Sequence, residues 1–294
     1  SKIFGKKMAQ ELKGLDKVCY DLGQQQLHGL SCGNPGDDIV LCLHGWLDNA
    51  ASFVPLMPYL PGKQVIAIDW PGHGLSTHRS SDAYYHFIDW VYDLLQLFDV
   101  NHWGAVDIVA HSMGGMIASA FAATFPEKVK SLTLIDSIGF INANAEQTTR
   151  QLRQGMLSRL QGRKKQKNLH TSEESAINAR VSVSDLRYQD AALIVKRGLK
   201  KSGDGYTWRA DSRLRMISPY RLTLGQAEQL IRDIAVPVQL IYGEQGMDMV
   251  ASGIRHFGPL FKNFTSHALP GGHHVHMEQP QQTARQVLAF IGRR

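Results

Sequence analysis

The stretch Asp107-Ile108-Val109-Ala110-His111-Ser112-Met113-Gly114-Gly115 decides how this chain is read. A short apolar, β-branched run ends on a serine, and two glycines then open a stretch of helical pattern that continues to Phe125. A serine on so tight a strand-to-helix turn projects its hydroxyl above a sheet, and small flanking residues let the crowded turn close. Ser112 would also stand at a helix N-terminus, where backbone N–H groups stabilise negative charge. The site therefore predicts a nucleophile, with the Met113 amide as one oxyanion donor. The residue two before the serine is Ala110 where glycine is usual, a departure that keeps the turn small.

Working outward, further strand-sized runs appear at Ile39–Leu43, Val65–Ile68, Ser131–Ile135, Val236–Tyr242 and Thr265–Leu269. Four- to seven-residue apolar runs closed by Gly, Pro, Asp or Ser are expected of strands buried on both faces of a parallel sheet. Helical stretches separate them at Ser52–Leu60, His86–Phe98 and Gly115–Phe125, with Gln281–Ile291 closing the chain. The second carries Phe87, Trp90, Val91, Leu94, Leu95 and Phe98 on one stripe. Such alternation predicts a mostly parallel α/β sheet with helices on both faces. Lys17–Cys32 alternates in polarity and predicts an antiparallel hairpin at the sheet edge.

The alternation breaks after Ile135 and resumes about a hundred residues later, whereas a βαβ crossover needs only about 30. The interval reads as helices at Thr148–Leu160, Ser172–Ala179, Ala191–Leu199 and Gly225–Ile234. The expected organisation is a core over 1–138 and 235–294, interrupted by a helical cap over 139–234 that covers the serine. The cap also holds the charge. Phe140–Asp233 carries 18 Lys/Arg against 9 Asp/Glu, while the rest of the chain has 14 against 17. This excess, with the run Arg163-Lys164-Lys165-Gln166-Lys167, reads as a solvated basic face or as attraction for an anionic substrate or lipid surface. Nucleic acid is not expected, because no aromatic residues interleave the run and no reader motif is present.

Two further loops at strand ends complete the chemistry. Leu43-His44-Gly45-Trp46-Leu47-Asp48-Asn49 follows a central strand, and its Trp46 amide is the second expected oxyanion donor. The His44 side chain reads as a brace, and Asp69 to Ser76 as scaffold. Gly271-Gly272-His273-His274-Val275-His276 lies between the last strand and the last helix, and His273 is the expected general base. His274 and His276 read as neighbours on the loop rather than as metal ligands, so no metal and no cofactor are expected. The orienting acid is open among three carboxylates. Asp248 is favoured by the order Ser112, Asp248, His273; Glu244 shares its loop, and Asp136 ends the strand before the inserted segment.

With these residues in place, the chain from about Ile39 onward resembles the α/β-hydrolase-fold serine hydrolases. The His44–Ala50 stretch, Gly72-His73-Gly74-Leu75-Ser76, His276-Met277 and Trp208-Arg209-Ala210-Asp211-Ser212-Arg213-Leu214 are similar to the serine hydrolase-like proteins. The resemblance implies a cofactor-free enzyme acting on a small-molecule ester or thioester, and the basic excess of the inserted segment adds the expectation of an anionic or lipid-like acyl group. A serine in place of an aspartate nucleophile argues against dehalogenase and epoxide hydrolase chemistry. Hydrolytic C–C cleavage of a diketone, a cofactor-free dioxygenase and a non-catalytic member are the alternatives that the fold hosts.

The composition agrees with a folded enzyme: 294 residues, 43% hydrophobic and 20% charged, exclude a disordered or fibrous chain. No apolar run is long enough to span a bilayer. Three cysteines, Cys19, Cys32 and Cys42, cannot form a paired framework, and Ser1–Glu11 is basic without an apolar core. A reducing, cytoplasmic location is the expectation.

Overall fold

The computed structural model describes residues 12–164 and 167–292. The basic segment Ser1–Glu11, together with Lys165 and Gln166 of the basic run, lies outside them. Eight strands form one sheet: β1 Asp16–Asp21, β2 Gln26–Cys32, β3 Ile39–Leu43, β4 Gln64–Ile68, β5 Val106–His111, β6 Val129–Ile135, β9 Val238–Gly243 and β10 Phe264–Leu269. Their order is β1-β2-β4-β3-β5-β6-β9-β10. β1 pairs with β2 and β2 with β4 in antiparallel fashion, and every later pairing is parallel. The expected edge hairpin and the parallel α/β sheet are therefore both present.

Each central strand divides its side chains between two cores. Leu41 and Leu43 of β3, with Ile66 and Ile68 of β4, pack on one face; Val40, Cys42, Val65 and Ala67 pack on the other. This is the period-2 placement of a strand buried on both sides. The first face is covered by α1 (Phe87–Asn101) and α2 (Met113–Thr124), through Trp90, Leu94, Leu97, Phe98, Ile117 and Phe121.

The segment between β6 and β9 holds α3 (Thr148–Gly162), α4 (Glu173–Ser182), α5 (Tyr188–Gly198) and α6 (Leu224–Arg232). It also holds a hairpin absent from the sequence reading, β7 (Leu199–Ser202) with β8 (Gly205–Trp208). The two-residue connection Gly203-Asp204, with Gly203 at φ +58°, is a hairpin turn that the helical expectation passed over. The inserted segment is not all cover. Ala176 and Ile177 of α4 and Ala191–Val195 of α5 belong to the second core together with Phe53, Val65 and Ile135.

Two other elements differ from expectation. Ser52–Leu60 is not a helix but two short 3₁₀ turns, Ala50–Phe53 and Met57–Tyr59. Pro55, Pro58 and Pro61 deny that stretch a continuous run of amide donors. The loop after β9 runs straight into α7, Asp248–Phe257, so Asp248 begins a helix rather than ending a loop. The short α8 (Val275–Glu278) and α9 (Pro280–Gly292) complete the chain.

Candidate active site

Ser112 stands between β5 and α2 with φ 55° and ψ −121°, a conformation that side chains rarely adopt and that surrounding packing must enforce. Its amide donates to the Ile135 carbonyl at 3.2 Å, and its own carbonyl accepts from Ser137 Oγ at 2.8 Å. A Cβ on Gly114 would lie 2.5 Å from the Leu43 carbonyl oxygen, so the elbow closes against β3 only with glycine there. The loop after β3 presses on the same point. A Cβ on Gly45 would stand 2.9 Å from the Ser112 Cβ. Next to it, the Trp46 indole N–H donates to Leu214 O, and the amides of Trp46 and Met113 have no hydrogen-bond partner among the described residues.

His273 reaches the serine. Its Nε2 is 3.1 Å from Ser112 Oγ, and its Nδ1 is 2.7 Å from Asp136 Oδ2. A carboxylate can only accept, so Nδ1 carries the proton and Nε2 is left to accept from the serine hydroxyl. The His273 peptide is held on both sides: its N–H donates to Asp185 Oδ2 at 2.8 Å, and its carbonyl accepts from His111 Nε2 at 2.8 Å.

The carboxylate at His273 is thus Asp136, and the favoured Asp248 is a correction. Asp136 sits at the end of β6 with φ 44°, its side chain fully buried. Its oxygens accept the amides of Gly243 at 3.2 Å and Met247 at 3.3 Å. Gly246 lets the loop close over them, since a Cβ there would lie 2.5 Å from the carboxylate. The loop read as the source of the acid instead supplies the amides that cradle an acid from the neighbouring strand. Glu244 and Asp248 are both exposed, and Asp248 occupies the first turn of α7.

Behind these three residues lies a buried layer that the sequence reading left without roles. His274 Nε2 is 2.7 Å from Asp48 Oδ2, and Arg180 of α4 donates to Asp48 Oδ1 at 2.6 Å and to the Leu47 carbonyl. Burial alone would push the His274 imidazole down. The carboxylates of Asp48 and Asp185 outweigh that and raise it to about 9, so the ring is a cation at neutral pH. Burial likewise opposes the Asp48 charge, yet His274 and Arg180 together hold its carboxyl well below the usual range. Asp185, which faces the His274 ring across 4.0 Å and accepts the His273 amide, sits at about 2.

His111 and His276 are neutral: burial pushes both down, and the neighbouring histidines add to the effect. Oxygen and nitrogen atoms of Asp48, His111 and His274 converge within 4.8 Å of one another. The donor set is occupied by an ion pair rather than arranged for a metal. Ligands of one tetrahedral ion stand roughly 3.3 Å apart, whereas His274 and Asp48 are at hydrogen-bond distance and the Arg180 cation already neutralises the carboxylate.

The scaffold histidines brace the loops. The Trp70 amide donates to His44 Nε2 at 2.9 Å, and the Leu47 amide to His73 Nε2 at 3.1 Å. Burial lowers His73 to about 3, which keeps it the neutral acceptor this geometry requires. Asp69 accepts the amides of Ala50 and Leu75 and both arms of Arg197 from α5. The Trp208–Leu214 stretch is a clasp of the same kind. Asp211 accepts from Arg213 and the Tyr85 hydroxyl, while Arg213 also donates to the carbonyls of Arg79, Ser80 and Ala83.

The α/β hydrolase fold family matches residues 38–280, and the chain belongs to it. Within that family it is similar to the serine hydrolase-like proteins. It is 28% identical over 277 residues to the serine hydrolase-like protein of Danio rerio, covering 90% of this chain and 84% of that one. It is 30% identical over 276 residues to serine hydrolase-like protein 2 of Homo sapiens, covering 86% of each. A crystal structure of a hypothetical protein from Pseudomonas aeruginosa superposes with a TM-score of 0.90 at 35% identity, covering 95% of this chain and all of that one. No helix among the described residues is long and apolar enough to cross a membrane.

Proposed function

We propose that this protein is a serine hydrolase that cleaves a carboxylic ester or thioester through an acyl-enzyme, with Ser112, His273 and Asp136 as its triad. The observation that carries the reading is the unbroken relay from Ser112 Oγ through the His273 ring to Asp136, at 3.1 and 2.7 Å. Ser112 Oγ attacks the acyl carbonyl carbon while His273 Nε2 takes its proton. The amides of Trp46 and Met113 stabilise the oxyanion that forms. Collapse of the tetrahedral intermediate expels the alcohol or thiol, which takes the proton from His273; a water activated by the same nitrogen then releases the acid. Asp136 holds the ring in the required tautomer and stabilises the transient imidazolium. The expected location is the cytoplasm, in keeping with three free cysteines.

The test is labelling with a fluorophosphonate, followed by hydrolysis of p-nitrophenyl esters of graded length and of acyl-CoA thioesters. Labelling that depends on Ser112, with turnover of one series, supports the reading; an unlabelled, inert Ser112 in folded protein refutes it. A second reading is favoured by one observation, the acid at the end of β6, which is where the resemblance places it in the cofactor-free dioxygenases. Oxygen consumption that survives Ser112→Ala would decide for that branch.

A further inference from the structure

Helix α3 is amphipathic in the opposite sense from a helix packed on a core. Its one buried residue is Gly155, laid flat on Pro219, where a Cβ would lie 2.5 Å from the proline Cα. The same inward face uses polar groups: Gln151 donates to the Ser218 carbonyl, Ser158 Oγ accepts the Ile217 amide at 2.9 Å, and the Arg159 guanidinium lies 3.9 Å above the Tyr84 ring. The apolar side chains point away. Leu152 is 50% exposed, Met156 41%, Leu157 42% and Leu160 57%. At 100° per residue, Leu152, Met156 and Leu160 share an arc of about 80°, with Leu157 about 60° beyond it.

Basic residues surround this stripe. Arg150, Arg153, Arg163 and Lys164 are exposed along the helix and just past its end. From Gln147 to Ser172 the chain has seven Lys/Arg and no Asp/Glu. Four arginines elsewhere in the inserted segment are placed differently: Arg180, Arg187, Arg197 and Arg213 form ion pairs with aspartates. Here leucines and methionine are exposed in a field of one sign.

A second copy of the chain is a poor occupant. A two-fold contact through α3 would bring the basic residues of one copy against those of the other, and such like-charge juxtaposition is unfavourable. A nucleic acid would use the charge but would leave the apolar stripe idle, and α3 offers no aromatic side chain for stacking. A surface that takes both is an anionic bilayer, whose headgroups pair with arginine and lysine while the acyl boundary receives leucine and methionine. We propose that α3 is an interfacial helix that docks the protein on an anionic lipid surface. This goes beyond the hydrolase reading and does not depend on it, because no residue of α3 belongs to the triad.

The experiment is flotation of the full chain with vesicles of phosphatidylcholine alone or with about one-third phosphatidylglycerol, at low and high salt. Binding is expected to the anionic vesicles, to weaken as salt rises, and to be slight on neutral ones. Arg150→Gln with Arg153→Gln should weaken it by roughly 25-fold, about fivefold for each basic side chain near the surface. Leu152→Ser, Met156→Ser and Leu160→Ser together should reduce it to background, with a circular dichroism melt confirming that this exposed triple change leaves the fold intact. Ser112→Ala should bind as the parent does, which separates this proposal from the fate of the hydrolase reading. No binding to anionic vesicles at low salt, or binding indifferent to both sets of changes, would overturn it. A dimer dispersed by the triple change, or tighter binding to RNA than to vesicles, would give the face to another occupant and overturn it as well.

Discussion

Replacing Asp136 by Asn tests the assignment of the acid more sharply than removing the side chain, because the cradle itself dictates how the amide must lie. Gly243 donates to Oδ1 and Met247 to Oδ2, so an asparagine amide group must face one backbone N–H whichever way it turns. Facing Met247 and His273, the NH₂ donates to Nδ1 and drives the ring proton to Nε2, leaving no lone pair for Ser112. Facing Gly243, the NH₂ meets a donor with a donor in a fully buried site. Either way an unsatisfied pair costs about 1–3 kcal/mol of stability. The first orientation has the larger effect on chemistry. A wrong tautomer of this kind lowers kcat on the order of 10⁴-fold, equivalent to about 5.5 kcal/mol in the barrier. Asp248→Asn, at an exposed first turn, should leave kcat within about twofold and cost about 0.3–1 kcal/mol through the helix dipole. The assay is steady-state hydrolysis of p-nitrophenyl butyrate by both variants, with chemical denaturation alongside. If Asp248→Asn loses activity while Asp136→Asn stays within tenfold of the parent, the acid has been misassigned.

Ser112→Ala should lower kcat by about 10⁴-fold or more and abolish fluorophosphonate labelling; near-parental turnover by the folded variant rules out the acyl-enzyme. Stability should peak near pH 6.5. His274, raised to about 9, contributes on the order of 3 kcal/mol that is fully present below pH 6.5 and lost as pH climbs through 9. His73, lowered to about 3, contributes stability present above pH 6.5 and lost as pH falls toward 3. His274→Gln should flatten the alkaline limb of a melting-temperature profile, and an unchanged limb would deny the buried cation. Asp48→Asn strips the counter-charge from His274 and Arg180 and should cost about 3–5 kcal/mol by denaturant unfolding; a loss below about 1 kcal/mol would mean that the network carries little.

The architecture was legible in the sequence because its signals are local. A strand buried on both faces declares itself as a short apolar run, and an elbow declares itself as a serine between a strand and two glycines that no larger side chain can replace. The positions of Ser112 and His273 follow from such punctuation, and the structure brings them to 3.1 Å. Where local signals conflicted, at the proline-spaced Ser52–Leu60 stretch and the Gly203-Asp204 turn, the backbone followed its missing donors and its glycine.

The carboxylate that meets His273 was not legible, because the quantity that decides it is the distance between strands far apart in sequence. Asp136 and Asp248 each follow a strand of the parallel sheet, and β6 and β9 are neighbours, so a carboxylate on either can be imagined at the base. The choice falls to tertiary packing: Gly246 and the amides of Gly243 and Met247 fold over Asp136, while α7 begins at Asp248 and keeps its side chain in water. The ion pair of Asp48 with His274 and Arg180 is equally non-local, joining residues from three separated loops and helices. Sequence alone singled out Ser112 and His273, because each is held by its own turn; only the folded sheet could choose the carboxylate that meets His273, because burial and hydrogen bonding at that point come from another strand.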